Sequence, residues 1–245
     1  MTRLTMAALL IGLIPCEPAV ADVGALLDGM PAAYARVDGY TSRFVRQERI
    51  GGDLHPREEA LLKYLRPGRM YLRWVAGPPT GRELLFVEGR DAGQVLVHER
   101  GAFAGLFTLM LAPDSPWVLR RSRHPVTDLG LGRLIDLIAD NVRRARGRGE
   151  LTVLDGGLGR EGDRLTQRLE LRLPRDPGRG YYCYRASLAV DRAWGLPVAA
   201  TIYDWDDRMV AEYAYLDLRL NAALTPIDFD TANPEYGFPR WRLRW

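Results

Sequence analysis

The chain has 245 residues, 47% of them hydrophobic, with 34 basic and 31 acidic side chains and a formal net charge of +3. That length can bury a sizeable core. So mild a charge excess argues against a nucleic-acid partner, and every basic side chain except Lys63 is an arginine.

The first segment has the order of an export signal. Arg3 is followed by an apolar run from Leu4 to Ile14 and then by Ala19-Val20-Ala21, the small-x-small pattern of a cleavage site. The run is broken by Pro15 and falls short of the roughly 20 residues that cross a bilayer. Residues 1–21 are therefore expected to be a removable signal, with the mature chain starting near Asp22 and acting in the periplasm. Cys16 stands where a lipoprotein signal would carry its lipid, but Pro15 before it makes a poor site. Cleavage after Ala21 leaves Cys183 alone, so no intramolecular disulfide is available and the fold must rest on its core.

From Val23 to Val37 apolar residues recur at three- and four-residue spacing, which predicts an amphipathic helix. Short runs punctuated by Gly and Pro follow at Tyr40 to Ile50, Glu58 to Arg66, Arg69 to Val75, Arg82 to Val87 and Gln94 to His98, and read as antiparallel strands. Met70, Leu72 and Trp74 alternate onto one face, Tyr71 and Arg73 onto the other. Arg66-Pro67-Gly68-Arg69 predicts a hairpin through a type II turn. Phe103 to Leu111 is apolar on nearly every side and predicts a short helix. A stronger helix is expected after Asp128 as N-cap, with Leu131, Leu134, Ile135, Ile138 and Val142 on one face, an Asp140–Arg144 pair, and an end near Gly147 and Gly149.

Strands resume at Glu150 to Leu154, Leu165 to Leu173, Tyr181 to Asp191, Val198 to Trp205 and Met209 to Leu220. Leu165, Leu169, Leu171 and Leu173 form one inward row. No linker or repeat divides the chain, so the reading is α+β, mainly β: one domain over 22–225 with helices laid against a single strongly curved antiparallel sheet. Residues 226–245 read as an extended tail, either a strap over the sheet or an exposed end. The arginine clusters at 120–123 and 143–148 could dock on a membrane surface or an acidic partner, or be solvated surface.

Few residues offer chemistry. The four serines include none in Gly-x-Ser-x-Gly. His55, His98 and His124 lack the helical spacing that zinc often uses. Asp204, Asp206 and Asp207 could pair for glycoside cleavage or hold calcium, but fit a polar hairpin tip better. Gly157, Gly159 and Gly162 match a dinucleotide-binding string whose required helix is replaced by a strand, so they read as a turn. Cys183, with no His or second Cys nearby, reads as a packed thiol. No catalytic residue, metal or cofactor is expected. What remains is an apolar surplus, which either fills a plain core or lines a cavity, because both have the same binary pattern.

Three stretches carry a resemblance: Tyr40-Thr-Ser-Arg-Phe44-Val-Arg-Gln47, Lys63-Tyr-Leu-Arg66-Pro67 with the strand ending at Trp74, and Glu83-Leu-Leu-Phe86-Val-Glu-Gly89. They resemble the LolA/LolB-like superfamily of periplasmic lipoprotein carriers, closest to an exported branch of it, well over Leu26 to Leu111 and loosely beyond. The resemblance implies an unclosed antiparallel half-barrel whose apolar cavity shelters acyl chains beneath helices that act as a lid. The arginine of the Arg-Pro pair, Arg66 here, would bond to the lid and regulate closure. Wall or lid candidates are Trp74, Phe86, Phe103, Leu106, Phe107 and Met110. The chain is longer than the standard carriers, and adds the arginine-rich stretch between Pro113 and Pro125 and the ending from Asp228 to Pro239.

The function expected is therefore a monomeric carrier for a lipid or lipidated protein, with a membrane protein as possible donor or acceptor. An envelope sensor using the same half-barrel is the alternative, and a hydrolase acting on envelope glycans through Asp204, Asp206 or Asp207 is the third reading.

Overall fold

The computed structural model describes residues 22–101, 104–239 and 242–244; the predicted signal, Cys16 and Phe103 lie outside the described residues. Helix α1 (Val23–Tyr34) starts where the Asp22 carboxylate accepts hydrogen bonds from the Gly24 and Ala25 amides, and it buries Leu27 and Met30. It stops three residues before the predicted Val37.

One sheet then dominates. The strands are β1 (Gly39–Ile50), β2 (Asp53–Leu54), β3 (Glu58–Leu65), β4 (Arg69–Ala76), β5 (Glu83–Val87), β6 (Val95–His98) and β7 (Thr108–Leu111). After α2 (Pro116–Leu119) and α3 (Leu131–Gly147) come β8 (Thr152–Glu161), β9 (Arg164–Arg172), β10 (Arg185–Asp191), β11 (Pro197–Tyr203), β12 (Met209–Leu220) and β13 (Arg242–Arg244). Their order is β13-β7-β6-β5-β4-β3-β1-β12-β11-β10-β9-β8, with β2 on β1. All pairs are antiparallel except β13 on β7. The two end strands do not meet, so the sheet is an unclosed half-barrel, and pairing of β1 with β12 joins its two halves.

The inner face carries the main core. Met70, Leu72 and Trp74 of β4, Leu169 and Leu171 of β9, Leu188 of β10 and Ile202 of β11 pack there with Ile135, Ile138 and Val142 of α3. Leu165, at the far end of the predicted inward row, is 44% exposed, and Leu173 packs beyond the strand with Ala145 and Tyr181.

The hydroxyl of Tyr40 accepts a hydrogen bond from the Leu131 amide at 2.9 Å, which fixes the start of α3. Its N-cap is Gly130 and not Asp128, which ends a separate turn over Val126–Asp128. Gly130 has φ +121° and a Cβ there would stand 3.0 Å from the Tyr40 hydroxyl, so the close approach leaves no room for Asp at the cap. Asp140 pairs with Arg143 at 2.8 Å rather than with Arg144, which bonds instead to Asn141 and the Gly180 carbonyl.

The described part of the predicted Phe103–Leu111 helix, from Ala104 on, is not a continuous helix. A short turn at Ala104–Leu106 leads into β7, where Leu109 and Leu111 face the inner core while Met110 faces a second cluster on the outer face. A strand buried on both faces is apolar throughout, so its pattern matches that of a buried helix. The β3–β4 hairpin is as predicted, but its Arg66–Pro67 peptide is cis, and the turn is not type II. Gly157 and Gly159 lie within β8, and only Gly162 is in the turn before β9.

The outer cluster joins Tyr71, Leu85, Leu96 and Met110 to Phe229 and Phe238 of the C-terminal segment. That segment lies as a strap across β4 to β7. Tyr236 stacks on Tyr71 with ring centroids 3.8 Å apart, Lys63 pairs with Asp228 at 2.7 Å, and the Gly237 amide donates to the Glu83 carboxylate.

Candidate ligand cavity and its lid

Between α3 and strands β9 to β12 the inner core is not filled. A cavity of about 190 Å³ is bounded by Phe44, Leu134, Leu137, Ile202, Tyr213 and Tyr215, with His124, Asp128 and Arg133 at its outer end. Leu134, Leu137, Tyr182 and Ile202 also border a smaller space of about 40 Å³ that continues under α3 between Leu171, Leu173, Cys183, Leu188 and Ala200. The inner end is therefore apolar and the outer end polar. Tyrosine hydroxyls in the wall are already bonded: Tyr213 donates to Glu48 at 2.5 Å and Tyr182 lies 2.6 Å from His124 Nε2. Burial raises the Tyr213 and Tyr215 hydroxyls well above the usual tyrosine range, and it lowers His124, so that imidazole is uncharged at neutral pH. Burial also pushes the Cys183 thiol up to about 12, as an inert packed thiol requires.

The other half of the inner face is covered by residues 112–130 and is closed by charge. Arg46 bonds to Glu58 at 2.8 Å, to Ser122 Oγ and to the Arg121 carbonyl, while Glu48 accepts from the Arg123 amide. The Trp74 indole donates to Glu58 at 3.0 Å and lies between the guanidiniums of Arg46 and Arg82. Trp74 thus does not line the larger cavity but borders a separate small space of about 30 Å³ at this end, with Leu84, Val97, Trp117 and Val126.

Arg66 Nη2 donates to the Tyr34 carbonyl, the last residue of α1, at 2.9 Å, and its guanidinium lies 4.5 Å from the centre of the Tyr34 ring. Phe86 borders an open groove of about 250 Å³ with Tyr64, Pro67 and Thr127, at the Arg66 end of the sheet. Leu106 is 54% exposed and Phe107 half-buried, and neither borders a described cavity; Met110 lies on the outer face. Among the described residues none of the predicted positions lines the 190 Å³ cavity; Phe86 shares its groove with Pro67, the neighbour of Arg66 in the chain. The cavity residues missed were the inward tyrosines of β12, Phe44, Tyr182, His124 and the cavity-facing Leu134 and Leu137 of α3. The alternation Tyr213-Ala-Tyr215 carried that signal.

Asp204, Asp206 and Asp207 sit at the β11–β12 hairpin tip, where Asp204 accepts from the Asp206 and Arg208 amides and Asp207 pairs with Arg185 at 2.8 Å. No metal-binding group of His, Cys, Asp or Glu occurs among the described residues. The arginines of 143–148 hold local partners, including Asp28 and the Gly180 and Arg179 carbonyls, whereas Arg120 and Arg121 are exposed. No helix among the described residues is long and apolar enough to cross a membrane.

An unclosed antiparallel half-barrel with helices on its inner face is the fold that the LolA/LolB-like resemblance implied. The family described as "Protein of unknown function (DUF1571)" matches residues 37–238, and the chain belongs to it. MucB, which has also been crystallised with MucA from Pseudomonas aeruginosa, is similar in fold at 18% identity and a TM-score of 0.50, over 94% of this chain and 69% of that one. The Mycobacterium tuberculosis lipoprotein LppX gives 11% identity and a TM-score of 0.48 over 85% of this chain and all of that one. The LolA superfamily protein NE2245 of Nitrosomonas europaea gives 12% and 0.35, over 86% and 98%. A search of the curated proteins gives no match.

Proposed function

We propose that this chain is an exported periplasmic binding protein that shelters acyl chains of a lipid or lipoprotein between the curved sheet and α3. The observation that carries the reading is the unfilled space under α3, apolar at its inner end and polar at its outer end. Transfer needs no cofactor, because a ligand that binds the open and closed states unequally shifts the balance between them. Arg66 supports a lid role, since its bond to the end of α1 ties that helix to the rim of the sheet and can be released without breaking the sheet. Native mass spectrometry of protein recovered from an export compartment is expected to show a bound amphiphile. Ligand-free protein that also refuses a fluorescent fatty acid would sink the reading.

A sensor that passes ligand occupancy to a membrane protein is the second reading, favoured by the exposed guanidiniums of Arg120 and Arg121 beside the lid contact at Arg121 and Ser122. Charge removal at Arg120 and Arg121 should then abolish partner binding while leaving ligand uptake intact.

A further inference from the structure

We infer that the cavity under α3 is built for a single-chain amphiphile with an anionic head, held at the outer end by Arg133 beside the His124–Tyr182 pair. This rests on the carrier reading and narrows it to a ligand class.

Size is the first argument. An apolar cavity of ~150 Å³ accepts a benzene-sized guest, and sites for larger ligands run from ~300 Å³ upward. The 190 Å³ space with its 40 Å³ continuation is narrow, and α3 bounds it along one side. That volume leaves room for one chain at most, and several chains side by side would require α3 to leave the sheet.

The second argument is the charge at the outer end. His124 is flanked by Arg123, Arg133, Asp128 and Glu48. Glu48 is already taken up by Tyr213, the Arg123 amide and Arg46. Arg123 lies beside the Tyr182 hydroxyl and opposes the upward push of burial on it. Arg133 is held only loosely by Asp128, at 3.6 Å, against the ~2.8 Å of a strong charge-assisted bond. Arg46 is shared with Glu58, so the charges around His124 balance, and Arg133, exposed at the cavity mouth with that long ion pair, is the guanidinium best placed to turn to a head group. A carboxylate or phosphate there can take a bidentate bond from Arg133, and the His124–Tyr182 pair, whose mutual bond uses one of its two protons, can supply one further donor.

The test is equilibrium binding of radiolabelled palmitate, hexadecyl phosphate and hexadecanol to the protein and to Arg133→Met, whose exposed position leaves folding unchanged by circular dichroism. Both anions should bind about tenfold or more tightly than the alcohol, and Arg133→Met should erase that difference while leaving hexadecanol affinity unchanged. Whichever anion binds better identifies the head as carboxylate or phosphate. Equal affinity for all three, or an equal loss for all three in the variant, would overturn the inference. Uptake of a diacyl phospholipid from vesicles with no binding of any single-chain probe overturns it too, yet leaves the carrier reading standing. If nothing apolar binds, both fall.

Discussion

On the outer face, Tyr71, Leu85, Leu96, Met110, Phe229 and Phe238 close on one another beneath an extended strap. On the inner face, Phe44, Leu137, Ile202, Tyr213 and Tyr215 stand around an unfilled 190 Å³. The strands supplying the two faces have similar alternating patterns. The covers differ. An extended strap can follow a curved sheet residue by residue and bond to it, as Gly237 does to Glu83. A straight helix about 10 Å wide touches a curved sheet along a line and leaves space beside it. The strap therefore closes its face, and the helix leaves space on the other.

The largest effect should come from Phe229→Ala. The side chain is 1% exposed, and its truncation should cost ~3–5 kcal/mol in chemical denaturation while palmitate binding at low temperature persists. Loss of binding together with stability would mean that the two faces are not separable. Arg66→Leu should cost ~1.5–3 kcal/mol or less, since only one charged hydrogen bond to α1 is lost. Hydrogen exchange should speed up in Val23–Tyr34 and not in the strap.

Smaller still, Leu137→Trp places a larger ring into the unfilled space, so stability should change by less than ~1.5 kcal/mol while affinity for every chain falls. An equivalent enlargement at Leu96 on the filled outer face should be worse tolerated, and equal costs at the two sites would break the comparison. The smallest effect concerns pH. Burial lowers the His124 pKa, so below the unfolded value of ~6.5 the unfolded chain binds more protons than the folded one. Stability should therefore fall as pH drops from ~6.5 to the folded pKa, by less than ~1 kcal/mol, and His124→Gln should flatten that slope. Asp228, whose pKa is lowered by Lys63 and the Thr225 groups against the opposing effect of burial, acts in a separate, more acidic window: its contribution is full above the unfolded value of ~3.9 and is lost below it, as pH falls through the lowered folded pKa.

Much of this was legible beforehand. The alternation Met70, Leu72, Trp74 against Tyr71 read correctly, as did the hairpin around Pro67 and the stripe of α3, because each depends on neighbours within a few residues. Met110 and the Phe103–Leu111 helix were misread, because a strand covered on both faces loses the alternation that distinguishes it. The site was less legible than the fold. Trp74 borders a small separate space and bonds to Glu58 among arginines, and His124, which sequence spacing weighs only as a metal ligand, stands at the larger cavity because the fold brings Tyr182 to it.

Sequence by itself determined the sheet, its apolar inner face, helices α1 and α3 and the Arg66-Pro67 hairpin, because backbone periodicity and turn chemistry are local. Tertiary structure decided which face is filled and which is left open, since that depends on how a straight helix and an extended strap each meet the same curved sheet. It also decided where the charges gather: Arg123, His124 and Arg133 lie close in sequence, but only the fold brings Tyr182 and the cavity to them.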